Sequence, residues 1–153
     1  MANHQGCGCP GSMARVIERE EATNVETNVK AASELRQWPV QLHLVPPTAP
    51  YFKDADILIS ADCVAFAMGS MHQDLLKGKA LAIACPKLDD TAPYVDKLTQ
   101  IFSVNEIKSI TIAIMEVPCC RGLDIMVREA LQKSGRAIDL QTIIIGIDGE
   151  RRN

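Results

Sequence analysis

Residues 56–63 read Asp-Ile-Leu-Ile-Ser-Ala-Asp-Cys, an apolar run of strand length that stops at an acid and a thiol. Its unbroken Ile-Leu-Ile centre is what a strand covered on both faces requires, as in a parallel sheet flanked by helices. The pattern returns at 79–85 (KALAIAC) and at 109–120 (SITIAIMEVPCC), so four of the six cysteines stand at or just past predicted strand ends. In an open α/β sheet that edge is where ligands are held, and strand ends far apart in sequence can bring thiols to one point.

Working outward, five strands are expected: Val40 to Val45, Asp56 to Ala61, Lys79 to Ala84, Ser109 to Met115 and Leu140 to Ile147. The runs ILIS and TIIIGI both read as strands covered on two faces. Helical spacing separates the later strands. Val95, Leu98, Ile101 and Phe102 recur behind Thr91, with Pro93 early and Asn105 at the end. Leu123, Met126, Val127, Ala130 and Leu131 form a cleaner stripe that Gly135 closes as a left-handed cap. Val64 to Leu76 is interrupted by Gly69 and Ser70, although Leu75 and Leu76 before Gly78 resemble a helix end. The expected architecture is a three-layer, doubly wound α/β domain. Its mostly parallel five-stranded sheet has a Rossmann-like layout and right-handed crossovers.

Residues 39–153 form that domain, and residues 1–38 read as an arm, with Gly6, Gly8, Pro10 and Gly11 followed by a charge-rich stretch without apolar period. Two short helices are expected within the arm, one from Ser12 through Arg15 to Glu21 and one over Ala31 to Trp38. A chain of 153 residues with 47% hydrophobic content buries a core without disulfide staples. The net charge of −3 argues against a nucleic-acid surface. No apolar run approaches the roughly 20 residues of a membrane span, and no signal peptide is evident, so a cytoplasmic location is expected. Thiols stay reduced there, which turns six cysteines towards metal or redox chemistry.

Cys63, Cys85 and Cys119 follow three successive strands, and turns one strand step apart, about 4.8 Å, can converge on one cluster. Pro86 and Pro118 end those strands abruptly, as they would in any fold. Cys7-Gly8-Cys9-Pro10-Gly11 supplies a further ligand, with Cys9 preferred over Cys7 because Pro10 follows it. Its glycines let backbone wrap closely over inorganic sulfide. Cys120, adjacent to Cys119, packs beneath it, bridges to another cluster or pairs with it in a vicinal disulfide. Asp62 and Glu116 flank the cysteine turns and more simply serve as solvated or capping acids. Asp89 and Asp90 read as acids favouring the following helix N-terminus. His4 and His72 read as exposed, and His43 lies on a sheet face. No GxGxxG, P-loop or nucleophile elbow occurs, so a nucleotide has no support.

HQGCGCPGS, LRQWPVQLHLVPPTAPYFKDADILISADCVAFA, KGKALAIACPKLDD and MEVPCCRGL together resemble a family of iron–sulfur cluster-binding oxidoreductases of anaerobic microbes, the 4Fe–4S ferredoxin-type proteins. In longer members a two-cluster ferredoxin domain precedes this module; its CxxCxxCxxxCP runs are missing here. The resemblance singles out Cys9, Cys63, Cys85, Cys119 and Cys120. The resulting expectation is an electron-transfer or redox module with a [4Fe–4S] cluster on Cys9, Cys63, Cys85 and Cys119, serving a redox partner protein. Six cysteines also suit a larger or second cluster, including one shared across a homodimer. Two rival classes use the same thiols: a zinc-binding structural module and a thiol–disulfide enzyme.

Overall fold

The computed structural model describes residues 15–19 and 30–153. One sheet is built from β1 (Asp56–Ala61), β2 (Ala80–Ala84), β3 (Ser109–Met115), β4 (Asp139–Ile145) and the short β5 (Arg151–Arg152). The strands lie in the order β2-β1-β3-β4-β5, all parallel except β5, which folds back antiparallel on β4. Three helices connect them: α1 (Val64–Ala67) after β1, α2 (Tyr94–Val104) after β2 and α3 (Arg121–Ser134) after β3. One π-helical turn, His72–Leu76, leads into β2, and a 3-10 turn, Pro118–Cys120, leads into α3.

The apolar runs explain the layering. Ile57, Leu58 and Ile59 of β1 are all buried, as are Ile110, Ile112 and Ala113 of β3, so both faces of the central strands are covered. Each fully buried Ile or Leu contributes roughly 1.5–3 kcal/mol relative to exposure. α2 and α3 pack against each other. In α3 Leu123, Val127 and Ala130 face inward, and Gly135 closes the helix at φ 66°, a conformation that favours glycine.

Three expectations are corrected. Val40 to Val45 is not a strand: it touches β2 at a single bridge, Gln41 with Ile83, and then turns, with Leu44 and Val45 N–H groups donating to the Gln41 carbonyl. Leu42 and Val45 are buried three residues apart while Leu44 is exposed, a turn's spacing and not a strand's, and Pro46 and Pro47 remove the next two ladder donors. The fifth strand is β5 instead. TIIIGI is covered on one face only, because Ile143 and Ile145 are buried while Ile144 between them is 39% exposed.

Residues 15–19 and Ala31 to Trp38 are not helical. The latter segment follows the open edge of β2, where the Gln37 side chain donates to the Leu81 carbonyl and accepts its N–H, each at 2.8 Å, as a neighbouring strand would. Edge protection outweighs helix propensity there. Among the described residues no helix is long and apolar enough to cross a membrane.

The chain leaves β1 for β2 on one side and then crosses to β3 on the other. The order therefore reverses between β1 and β3, which makes the crevice beyond their carboxyl ends the topological switch point.

Candidate functional site

Register delivers the cysteines to that crevice. Ala61 of β1 pairs with Ala84 of β2, so Cys85 follows its strand at once and Cys63 comes two residues beyond. On the other flank Ser60 pairs with Ala113, and β3 runs on to Met115 before the turn that carries Cys119 and Cys120. All four thiols are free; Cys63 is exposed, Cys85 and Cys119 are half-buried and Cys120 is buried.

Two of the thiols, Cys63 and Cys120, are perturbed by burial and by neighbouring cysteines. Burial, then the neighbouring Cys85, Asp62 and Cys119, push the Cys63 thiol up from its ordinary value. Burial also pushes Cys120 up to about 11, with Cys119 and Cys63 adding to the shift and a backbone hydrogen bond at Met115 opposing it. Asp62 is raised as well, first by burial and then by Asp89, against the Gln41 side chain, and its Oδ1 is buried without a hydrogen-bond partner among the described residues. Among the described residues no cation figures in the influences on Cys63, Cys120 or Asp62. Acids perturbed by desolvation and by one another are a mark of functional sites.

Two contacts hold the turns together. Gly122, in the first turn of α3, faces the Pro86 ring so closely that an added Cβ would stand 3.2 Å from the Pro86 Cβ. A glycine there lets the Cys85-Pro86 turn approach the Cys119-Cys120 turn. Asp89 fixes the first of these turns: its Oδ2 accepts the Cys85 N–H at 2.9 Å and the Tyr94 hydroxyl at 2.5 Å. The sequence reading passes over Gly122 and takes Asp89 only as a helix-favouring acid, whereas α2 begins only at Tyr94. The available signals were a glycine inside a helical stripe and an aspartate four residues beyond a strand-ending cysteine. Cys120 is the N-cap residue of the 14-residue α3, so that helix starts at the cysteine turn itself.

Other expected positions fall elsewhere. Glu116 points to the β4–β5 hairpin, where it accepts from Arg152 at 3.0 Å and from the Ile147 N–H at 3.0 Å. His43 is not on a sheet face; it packs on the Tyr94 ring at 4.6 Å. His72 accepts the Glu34 N–H at 3.0 Å. Cys7, Cys9, His4 and the Ser12 cap lie outside the described residues. A cleft of about 660 Å³, lined by Arg19, Phe66, Met68, Asp74, Asp148 and Arg151 among others, includes none of the four cysteines.

The donor set is one of soft thiols, suited to zinc or iron–sulfur clusters. Among the described residues no three His, Cys, Asp or Glu side chains converge closely enough to hold a single metal ion.

This fold, with its switch-point edge, belongs to the Rossmann-like domain family, whose pattern the chain matches over residues 49–152. An uncharacterized protein of Archaeoglobus fulgidus is 33% identical over 116 residues, covering 76% of this chain and 81% of the relative. No solved structure matches the chain.

Proposed function

We propose that the protein is an iron–sulfur redox module that holds a cysteine-ligated cluster, most simply [4Fe–4S], at the switch-point edge of its sheet. Cys63, Cys85 and Cys119 are the ligands from the three turns, and Cys9 of the arm is the fourth. The observation that carries this reading is the placement of Cys63, Cys85, Cys119 and Cys120 just past the carboxyl ends of three adjacent strands, on either side of the switch point. Four thiols drawn together without a cation make an anion-rich pocket once ionised, and iron supplies the missing positive charge while releasing the protons.

The protein's own part is to hold the thiols in register, exclude water behind Cys120 and tune the potential through burial and nearby dipoles. Cys63, the exposed thiol, lies on the solvent side, where a partner protein exchanges single electrons with the cluster. A cytoplasmic location follows from the same chemistry, which needs reduced thiols.

Purification without oxygen tests the reading. A brown protein whose broad visible absorption bleaches on reduction with dithionite is expected; a colourless protein carrying zinc sinks the cluster and leaves a structural zinc module.

A further inference from the structure

We propose that Asp89 is a positioning residue for Cys85, locking the thiol-bearing turn to the buried start of α2. The inference rests on the cluster reading for its purpose but not for its geometry. The turn is already closed by backbone, since the Asp89 N–H donates to the Cys85 carbonyl at 3.0 Å. The Asp89 side chain is therefore not needed to close it. Instead Oδ2 binds the amide of the cysteine itself and the hydroxyl of Tyr94, a residue with no exposed surface.

The Tyr94 end is rigid in turn. His43 packs on its ring, and Lys97 Nζ, one turn along α2, donates to the Leu42 and His43 carbonyls at 2.9 and 2.6 Å.

The other cysteine turns have no such clamp and no need of one. Cys63 and Cys120 are N-cap residues, with helical backbone running on directly and no side-chain cap bond. After Cys85 no helix begins until Tyr94, so eight residues, 86–93, separate the thiol from the next helix. Asp89 spans that gap. By occupying the Cys85 N–H it also keeps that donor from turning to a sulfur, and it sets a carboxylate beside the site.

The test uses the full chain. Cys85 and Cys63 are labelled with iodoacetamide in metal-free protein and quantified by peptide mass spectrometry; iron content and midpoint potential are measured after anaerobic reconstitution. Asp89→Ala should raise Cys85 labelling relative to Cys63 at least tenfold and lose more than half of the iron. Asp89→Asn keeps an oxygen acceptor, so labelling and iron should stay near wild type while the potential moves upward with loss of the charge. Tyr94→Phe should raise the ratio by an intermediate amount.

An unchanged Cys85-to-Cys63 ratio in all three variants overturns the proposal, whatever the iron content. If wild type takes up no iron but Asp89→Ala alone alters the ratio and Asn restores it, the clamp stands and the cluster reading falls. Should Asp89→Ala fail to fold, the ratio in Tyr94→Phe decides: a selective rise supports the clamp and no change overturns it.

Discussion

The carboxyl edge of the sheet divides into two halves that treat acids in opposite ways. Over β2, β1 and β3 the thiols of Cys63 and Cys120 and the carboxyl of Asp62 are all pushed up, with burial the largest cause in each case. Over β3, β4 and β5 the acids are pushed down: hydrogen bonds from Arg152 and from the Ile147 backbone lower Glu116, and those of the Glu150 backbone and Arg152 lower Asp148. The same edge thus holds one half with its charges answered by an arginine and one half whose acids have no such answer among the described residues.

The contrast breaks most sharply at the ligands. Cys85→Ser or Cys63→Ser should remove most of the iron and sulfide bound by reconstituted protein while leaving thermal unfolding of the metal-free form nearly unchanged, read by iron and sulfide assay beside calorimetry. Next comes the approach of the turns. Gly122→Val drives a branched side chain into Pro86, and urea denaturation should show a loss of about 1–3 kcal/mol, with reduced iron uptake.

On the compensated half, effects are smaller. Asp124 accepts from Arg128 Nε at 2.9 Å and from the Thr142 hydroxyl at 2.5 Å, tying α3 to β4. Asp124→Ala should cost about 1 kcal/mol in urea denaturation, without loss of iron.

The smallest effect is a pH dependence. The folded values of Glu116 and Asp148 lie below their unfolded ones, so their contribution is present above the ordinary carboxylate range and is lost as pH falls through the folded values. Arg152→Ala should therefore lower the melting temperature slightly at neutral pH, with the two proteins converging in acid. A gap that widens as pH falls would contradict the assignment.

Much of this edge was legible because it depends on local pattern. ILIS before Cys63 and ALAIA before Cys85 give buried strands, and Gly135 gives the end of α3. What could not be read was set by distant partners. The Val40 to Val45 run has strand-like composition, but its hydrogen bonds close a turn, and Gln37 imitates a strand only because Leu81 of the β2 edge stands beside it. Asp89 belongs to the site through Tyr94, five residues on and wholly buried, and Gly122 through Pro86, 36 residues earlier. Neither relation exists before the chain folds.

The central claim is that the uncompensated half of the edge is completed by a cluster, and stoichiometry tests it most directly. Iron, acid-labile sulfide and zinc should be measured per chain in full-length protein prepared without oxygen, wild type beside Cys85→Ser. About four irons and four sulfides per wild-type chain, largely lost in the variant, is the predicted result. Zinc in their place, or no metal with every thiol free to react, would contradict it.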